Sequence, residues 1–293
     1  SEYGVDAVLS GNAAAAHQDD VFAFTQACTF NGIAVTAPET TPAWSAHIET
    51  TAGAPVVFDG LPVGAECTIT ETGTSHATTV LPSAQQTVAL PGAVARGVAR
   101  VDIAFTMVFD ETTATLQQAV DGPGAATYGS GAVFTDRLVC HYADDDTQVL
   151  LPDDGFADLA DGGSAAFAVP QGADCVVTQH NAALSTTQSL PSAVVGADPV
   201  TLTAVNTYLL GDFTVTSEAR GTDADEANLG FTASCVASDG STLLPLNADA
   251  ASSFRLRNGD SYAFQALAGS TCRVVETDTH SALEVVVQAR GTD

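Results

Sequence analysis

The chain has 293 residues, 45% of them apolar and 6% aromatic, so it is expected to hold two or three small cores rather than one large enzyme interior or a disordered tail. Thirty-five acidic residues face eight basic ones, all of them arginine, for a net charge of −27. That balance excludes nucleic acid as a partner, disfavours an anionic membrane surface, and keeps copies apart, so a monomer is expected in isolation.

In chain order, residues 21–28 form a strand-like stretch that ends on Cys28. Residues 31–55 have no counterpart further on and hold Trp44, the only tryptophan. An exposed indole there can stack on sugar or protein, while a core or edge position is the plainer reading. From Phe58 an aromatic strand runs into the turn Gly60-Leu61-Pro62-Val63-Gly64 and leaves through Cys67, Ile69 and Glu71. The first junction is placed at residues 97–100. Residues 133–140 form the next cysteine-bearing strand, and the densest acidic stretch, residues 141–163, follows it. Residues 167–179 repeat the aromatic–turn–cysteine pattern through Phe167, Pro170, Gly172 and Cys175. Residues 199–208 close a second unit and residues 211–216 open a third. Residues 229–235 lead to Cys235. Ser253 to Phe264 then alternate around Asn258-Gly259, the strongest short hairpin signal in the chain. The last copy of the pattern runs from Phe264 through Gly269 and Cys272 to Glu276. Neither junction contains a long Gly/Ser- or Pro-rich linker, so the units are expected to abut.

The six cysteines fall into three consecutive pairs, Cys28 with Cys67, Cys140 with Cys175 and Cys235 with Cys272, separated by 39, 35 and 37 residues. Zinc ligands need spacings of about two to four residues, and a nucleophilic thiol would not be echoed three times. Structural disulfides are the reading, with export to an oxidising compartment. The second cysteines recur after 108 residues (67 to 175) and 97 residues (175 to 272), so each unit is a domain rather than a solenoid coil. The expected fold is all-β, with three tandem immunoglobulin-like sandwiches over residues 1–98, 99–208 and 209–293.

The run Gly60-Leu61-Pro62-x-Gly64-Ala65-x-Cys67-Thr68-Ile69-Thr70-Glu71-Thr72 and the ending Val205-Asn206-Thr207-Tyr208 resemble the disulfide-bearing repeats of cell-wall-anchored actinobacterial surface proteins. Those repeats are similar to the B-type, immunoglobulin-like stalk domains of Gram-positive collagen adhesins and pilins. The resemblance implies an extracellular, surface-displayed stalk or adhesin segment without catalysis. It also implies a place for a Lys–Asn isopeptide bond beside a buried acid. Glu71, Gln179 and Glu276 share the inward face of their cysteines by strand alternation, and Asn206 stands at the asparagine position. The lysine positions are expected at Leu9, Met107 and Ser217, but the chain has no lysine and cannot form the bond.

Several further features are weighed here. The acidic stretch offers Asp144, Asp146, Asp153 and Asp154 as candidate calcium ligands. Its spacing does not match a regular Asp-x-Asp-x-Asp-Gly loop, and a solvated loop is the plainer reading. His76, His180 and His280 each follow the second cysteine of a unit and are read as surface residues. No catalytic triad, zinc helix or phosphate loop can be placed, and no cofactor is expected. With no apolar run of about 18–20 residues, direct membrane insertion is not expected. Ser1 opens beside a strand and Asp293 stops where the repeat should continue, so an internal piece of a longer protein is expected, with signal and anchor outside it. The alternatives to a stalk are an adhesive module gripping a host-surface protein or carbohydrate through residues 31–55 or 141–163, and an S-layer or filament subunit pairing through edge strands.

Overall fold

The computed structural model describes residues 1–35, 46–92, 100–222, 224–226, 228–247, 250–278 and 285–292. The first unit contains β1 (Glu2–Ser10), β2 (Phe22–Phe30), β3 (Ile33–Ala34), β4 (His47–Thr50), β5 (Val56–Phe58), β6 (Glu66–Gly73), β7 (Thr79–Leu81), β8 (Gln85–Ala89) and β9 (Arg100–Val108). They form two sheets: β5-β1-β9-β7, and β3-β2-β6-β8 with β4 added against β2. Alternation turns Tyr3, Val5 and Ala7 of β1 and Ile103, Phe105 and Met107 of β9 toward Phe22, Phe24, Cys67 and Ile69 of the other sheet. Two inner faces sharing one apolar layer make a sandwich.

The second unit contains β10 (Glu111–Asp121), β11 (Phe134–His141), β12 (Phe156–Leu159), β13 (Ser164–Pro170), β14 (Asp174–Asn181), β15 (Thr187–Ser189), β16 (Ser192–Val194) and β17 (Val200–Thr207). Its sheets are β13-β10-β17-β15 and β12-β11-β14-β16, around a core of Leu116, Leu138, Val169, Val177 and Leu202. The third unit contains β18 (Leu210–Ala219), β19 (Asn228–Val236), β20 (Leu243–Leu244), β21 (Ser253–Arg257), β22 (Ser261–Leu267), β23 (Thr271–Asp278) and β24 (Val285–Thr292). One sheet is β22-β18-β24, and in the other β19 pairs with β20, β21 and β23.

In the first two units the opening and closing strands run parallel. Glu2 pairs with Arg100 and Ser10 with Val108, while Ala114 pairs with Val200 and Asp121 with Thr207. In the third unit β24 lies antiparallel to β18. The pairing of β9 corrects the first junction. Residues 100–108 close the first unit instead of opening the second, Phe109 still packs in the first core, and β10 begins at Glu111. Two alternating strands separated by a short break look alike in sequence, and only the ladder with β1 assigns the earlier one.

The crossing from opening strand to the next segment uses the same device twice. Gly11 and Gly122 both have φ +97, and a Cβ on either would lie 2.2 Å from the Phe109 carbonyl oxygen or 2.6 Å from that of Tyr208. Only glycine permits this backbone and this approach. No helix among the described residues is long and apolar enough to cross a membrane.

Candidate functional site

Each disulfide joins residues directly opposite on neighbouring strands of one sheet: Cys28 with Cys67, Cys140 with Cys175 and Cys235 with Cys272. The Cys28 carbonyl accepts from Val35 N–H at 2.9 Å and the Cys140 carbonyl from Val149 N–H at 2.8 Å, both on the side away from the disulfide partner. These are therefore non-hydrogen-bonded pairs, the antiparallel positions where Cα atoms approach most closely. The Cα separations are 4.0, 4.0 and 4.1 Å. Apart from Cys272, which is half-buried, the bridges are sealed in the cores.

Four residues beyond each second cysteine lies a polar position. Glu71 faces Phe24, Gln179 faces Asp136, and Glu276 faces Phe231. The register shifts beside all three, between Ala23 and Phe24, Thr135 and Asp136, and Gly230 and Phe231. A bulge re-aims the neighbouring side chains, and here it recurs at one place in three units. In the second unit the position opens into a buried network. Gln179 Nε2 donates to Asp136 Oδ1 at 2.7 Å and to Asn206 Oδ1 at 2.9 Å. Asn206 Nδ2 donates to Gln179 Oε1 and Ser185 Oγ, both at 2.8 Å, and Gln118 Nε2 donates to Asn206 Oδ1 at 2.8 Å.

Asp136 Oδ2, Gln118 Oε1, Glu71 Oε1, Glu276 Oε1 and Ser217 Oγ are buried without a hydrogen-bond partner. Desolvation pushes the Asp136 carboxyl up, against a hydrogen bond from Gln179 that pulls it down. Burial also raises Glu71 and Glu276, the latter helped by the charge of Asp278. The arrangement supplies acceptors and a carboxyl whose charged form is disfavoured by burial, but no amine.

The expected lysine positions need correcting. Leu9 and Met107 are register partners across β1 and β9, so they cannot be equivalent places in successive units. Counted from the pairs Tyr3–Phe58, Ala114–Phe167 and Phe213–Phe264, the place corresponding to Ser217 is Ala7 in the first unit and Gln118 in the second. Met107 then corresponds to Asn206. Sequence reasoning missed Gln118 and Asp136. Asp136 had a signal, since it lies on the parity of Leu138 and Cys140 and must point inward. Gln118 lies in β10, and its place follows only once β9 is assigned to the first unit.

A second cluster lies where the first unit meets the second. His76, between β6 and β7, stacks on Tyr142 with ring centroids 3.9 Å apart and planes at 12°. Its Nδ1 lies 3.1 and 3.3 Å from the two carboxylate oxygens of Asp144 and 3.7 Å from Asp145 Oδ1. Hydrogen bonds from the Thr147 backbone and hydroxyl hold the Asp145 carboxyl low. His17 makes a similar stack on Phe109 at 3.8 Å, with its Nδ1 2.7 Å from Asp20 Oδ2. Among the described residues, His76, Asp144 and Asp145 are the group of three that converges as metal ligands do, and Asp146, Asp153 and Asp154 do not join it. His180 meets the edge of the Phe156 ring. Trp44 and His280 lie outside the described residues.

A family model described as "Domain of unknown function (DUF5979)" matches the chain twice, over residues 4–110 and 114–209. No curated protein matches the chain. Solved structures similar to it include the Bacillus anthracis TIE protein, at 10% identity and a TM-score of 0.34, covering 99% of this chain and 47% of that one. They also include the two B repeat units of the collagen binding protein of Staphylococcus aureus, at 10% identity and a TM-score of 0.29, covering 99% and 68%. The major pilin from Streptococcus pyogenes is similar at 13% identity and a TM-score of 0.34, covering 71% and 98%. The chain thus spans about half the length of the first of these proteins.

Proposed function

The chain belongs to the family described as Domain of unknown function (DUF5979), and we propose that it serves as a load-bearing stalk segment of an extracellular bacterial surface protein. The observation that carries this reading is the parallel pairing of first and last strands in the first two units. Tension enters the first unit at the Glu2 end of β1 and leaves at the Val108 end of β9. Adjacent parallel strands pulled from opposite ends are loaded in shear, so the whole ladder must yield together. A pair pulled from one end instead opens one bond at a time. Nine register pairs in the first unit and eight in the second share the load.

The three disulfides add a second restraint and support an oxidising, extracellular setting. The charge of −27 keeps neighbouring stalks apart in the same setting. The test is single-molecule stretching of the full chain between its ends. Two cooperative, high-force ruptures assignable to the first two units are expected. Gradual low-force opening of both units would overturn the reading.

A further inference from the structure

We propose that His76, Asp144 and Asp145 form a binding site for a divalent first-row transition cation of the zinc class, placed across the joint between the first and second units. The imidazole comes from the β6–β7 connection of one unit and both carboxylates from the loop after β11 of the next. A bound ion therefore ties two separately folded bodies together.

The donor spacing carries the argument. A tetrahedral ion with bonds of about 2.0–2.1 Å sets its donors about 3.3–3.4 Å apart. His76 Nδ1 lies 3.1 Å from one oxygen of Asp144 and 3.7 Å from Asp145 Oδ1, distances that bracket that edge. The ligand atoms of all three residues lie within 4.8 Å of one another. One imidazole with carboxylate oxygens suits zinc and its first-row neighbours, whereas calcium takes about six to eight oxygens.

The ring is already oriented by Tyr142, which covers one face and leaves Nδ1 on the carboxylates. The Thr147 backbone N–H, at 2.9 Å from Asp145 Oδ1, holds that carboxylate in place. The side chains of His76, Asp144 and Asp145 are 27%, 49% and 51% exposed, which leaves an entry path and room for water as a further ligand. Without a metal the same atoms make an ion pair when His76 is protonated, so proton and metal compete for Nδ1.

The test uses the full 293-residue chain, stripped of metal and titrated calorimetrically with zinc chloride at neutral pH. One saturable site is expected, and millimolar calcium should not displace it. His76→Ala and Asp144→Asn should each weaken zinc binding at least about tenfold, since losing even an outer-shell group typically costs that much. Asp144 is exposed and His76 half-buried, and an unchanged melting curve with three intact disulfides would show that the variants fold. A labelled pair across the joint, one dye on each unit, should report a narrower distance distribution with zinc and none of that narrowing in His76→Ala. No saturable uptake would overturn the proposal, as would uptake that His76→Ala leaves unchanged, the mark of diffuse binding to an acidic surface.

Discussion

Among the described residues Asp136 is the one carboxylate buried outright, and it pairs only one of its oxygens. Its carboxyl is raised in the folded chain, so the native state holds its proton to a higher pH than the unfolded chain does. Stability from this group is therefore greatest below the unfolded value of about 3.9 and falls as pH rises through the folded value, with a constant deficit above it. Asp136→Asn should raise the melting temperature at neutral pH and leave it unchanged near pH 3, where the native carboxyl is already neutral. Melts across that range check this, and a lower neutral-pH melt in the variant would mean the charge is compensated. Glu71 and Glu276 are raised for the same reason and add pH dependence of the same sign. The adjoining Gln118 supports a second prediction. Its amide nitrogen already lies 2.8 Å from Asn206 Oδ1, beside an acid whose charged form is disfavoured by burial. Gln118→Lys puts an amine there, and attack on Asn206 Cγ with release of ammonia would close an amide bond. Intact mass should fall short of the sequence mass by one ammonia, and the full mass would show that the geometry does not suffice.

At the scale of elements, each disulfide closes a loop of 39, 35 or 37 residues between strands that already pair. The chain-entropy model gives such a loop about 4 kcal/mol. Replacing Cys140 and Cys175 together by serine should destabilise the second unit by about that amount in denaturant, with the first unit unaffected. Under load the locked loop cannot extend. At about 3.4 Å per residue, reduction should lengthen the extension released by the first unit by about 130 Å and by the second by about 120 Å. Equal increments with and without reductant would show that the bridges lie off the path. The cysteine strands, the turns before them and the hairpin at Asn258 were legible because each has a local signature of parity, turn residue or spacing. The end of the first unit was not. Residues 100–108 alternate as any half-buried strand does, and their partner β1 lies about a hundred residues away. The misplaced lysine position at Met107 followed from that single error. The joint at His76 was equally hidden, because recurrence after the cysteine describes a loop but not the neighbouring unit it touches.

For the molecule as a whole, the two joints differ in physical kind. The second is apolar: Tyr208, fully buried, packs with Phe134 and Leu267 and donates its hydroxyl to the Ala183 carbonyl at 2.8 Å. Around it Tyr128 donates to the Pro245 carbonyl, and Thr127 to Asn247 Oδ1, both at 2.8 Å. The first joint rests on the exposed carboxylates of Asp144 and Asp145 beside His76 and on the stack of that ring on Tyr142. Exposed charges are screened within about 10 Å at 0.1 M salt, whereas apolar packing is not weakened by such salt. Raising salt should therefore loosen the first joint and leave the second unchanged. Tyr208→Ala should loosen the second at every salt concentration, removing a buried aromatic worth about 3–5 kcal/mol. Tyr208→Phe keeps the ring and loses one hydrogen bond, so it should restore most of the stiffness if packing is what holds the joint. Distances between labels on adjacent units, measured across a salt series in the three chains, separate the effects. Salt-dependent loosening at the second joint, or full loosening in Tyr208→Phe, would mean that polar contacts rather than the apolar contact of Tyr208 with Leu267 hold the second and third units together.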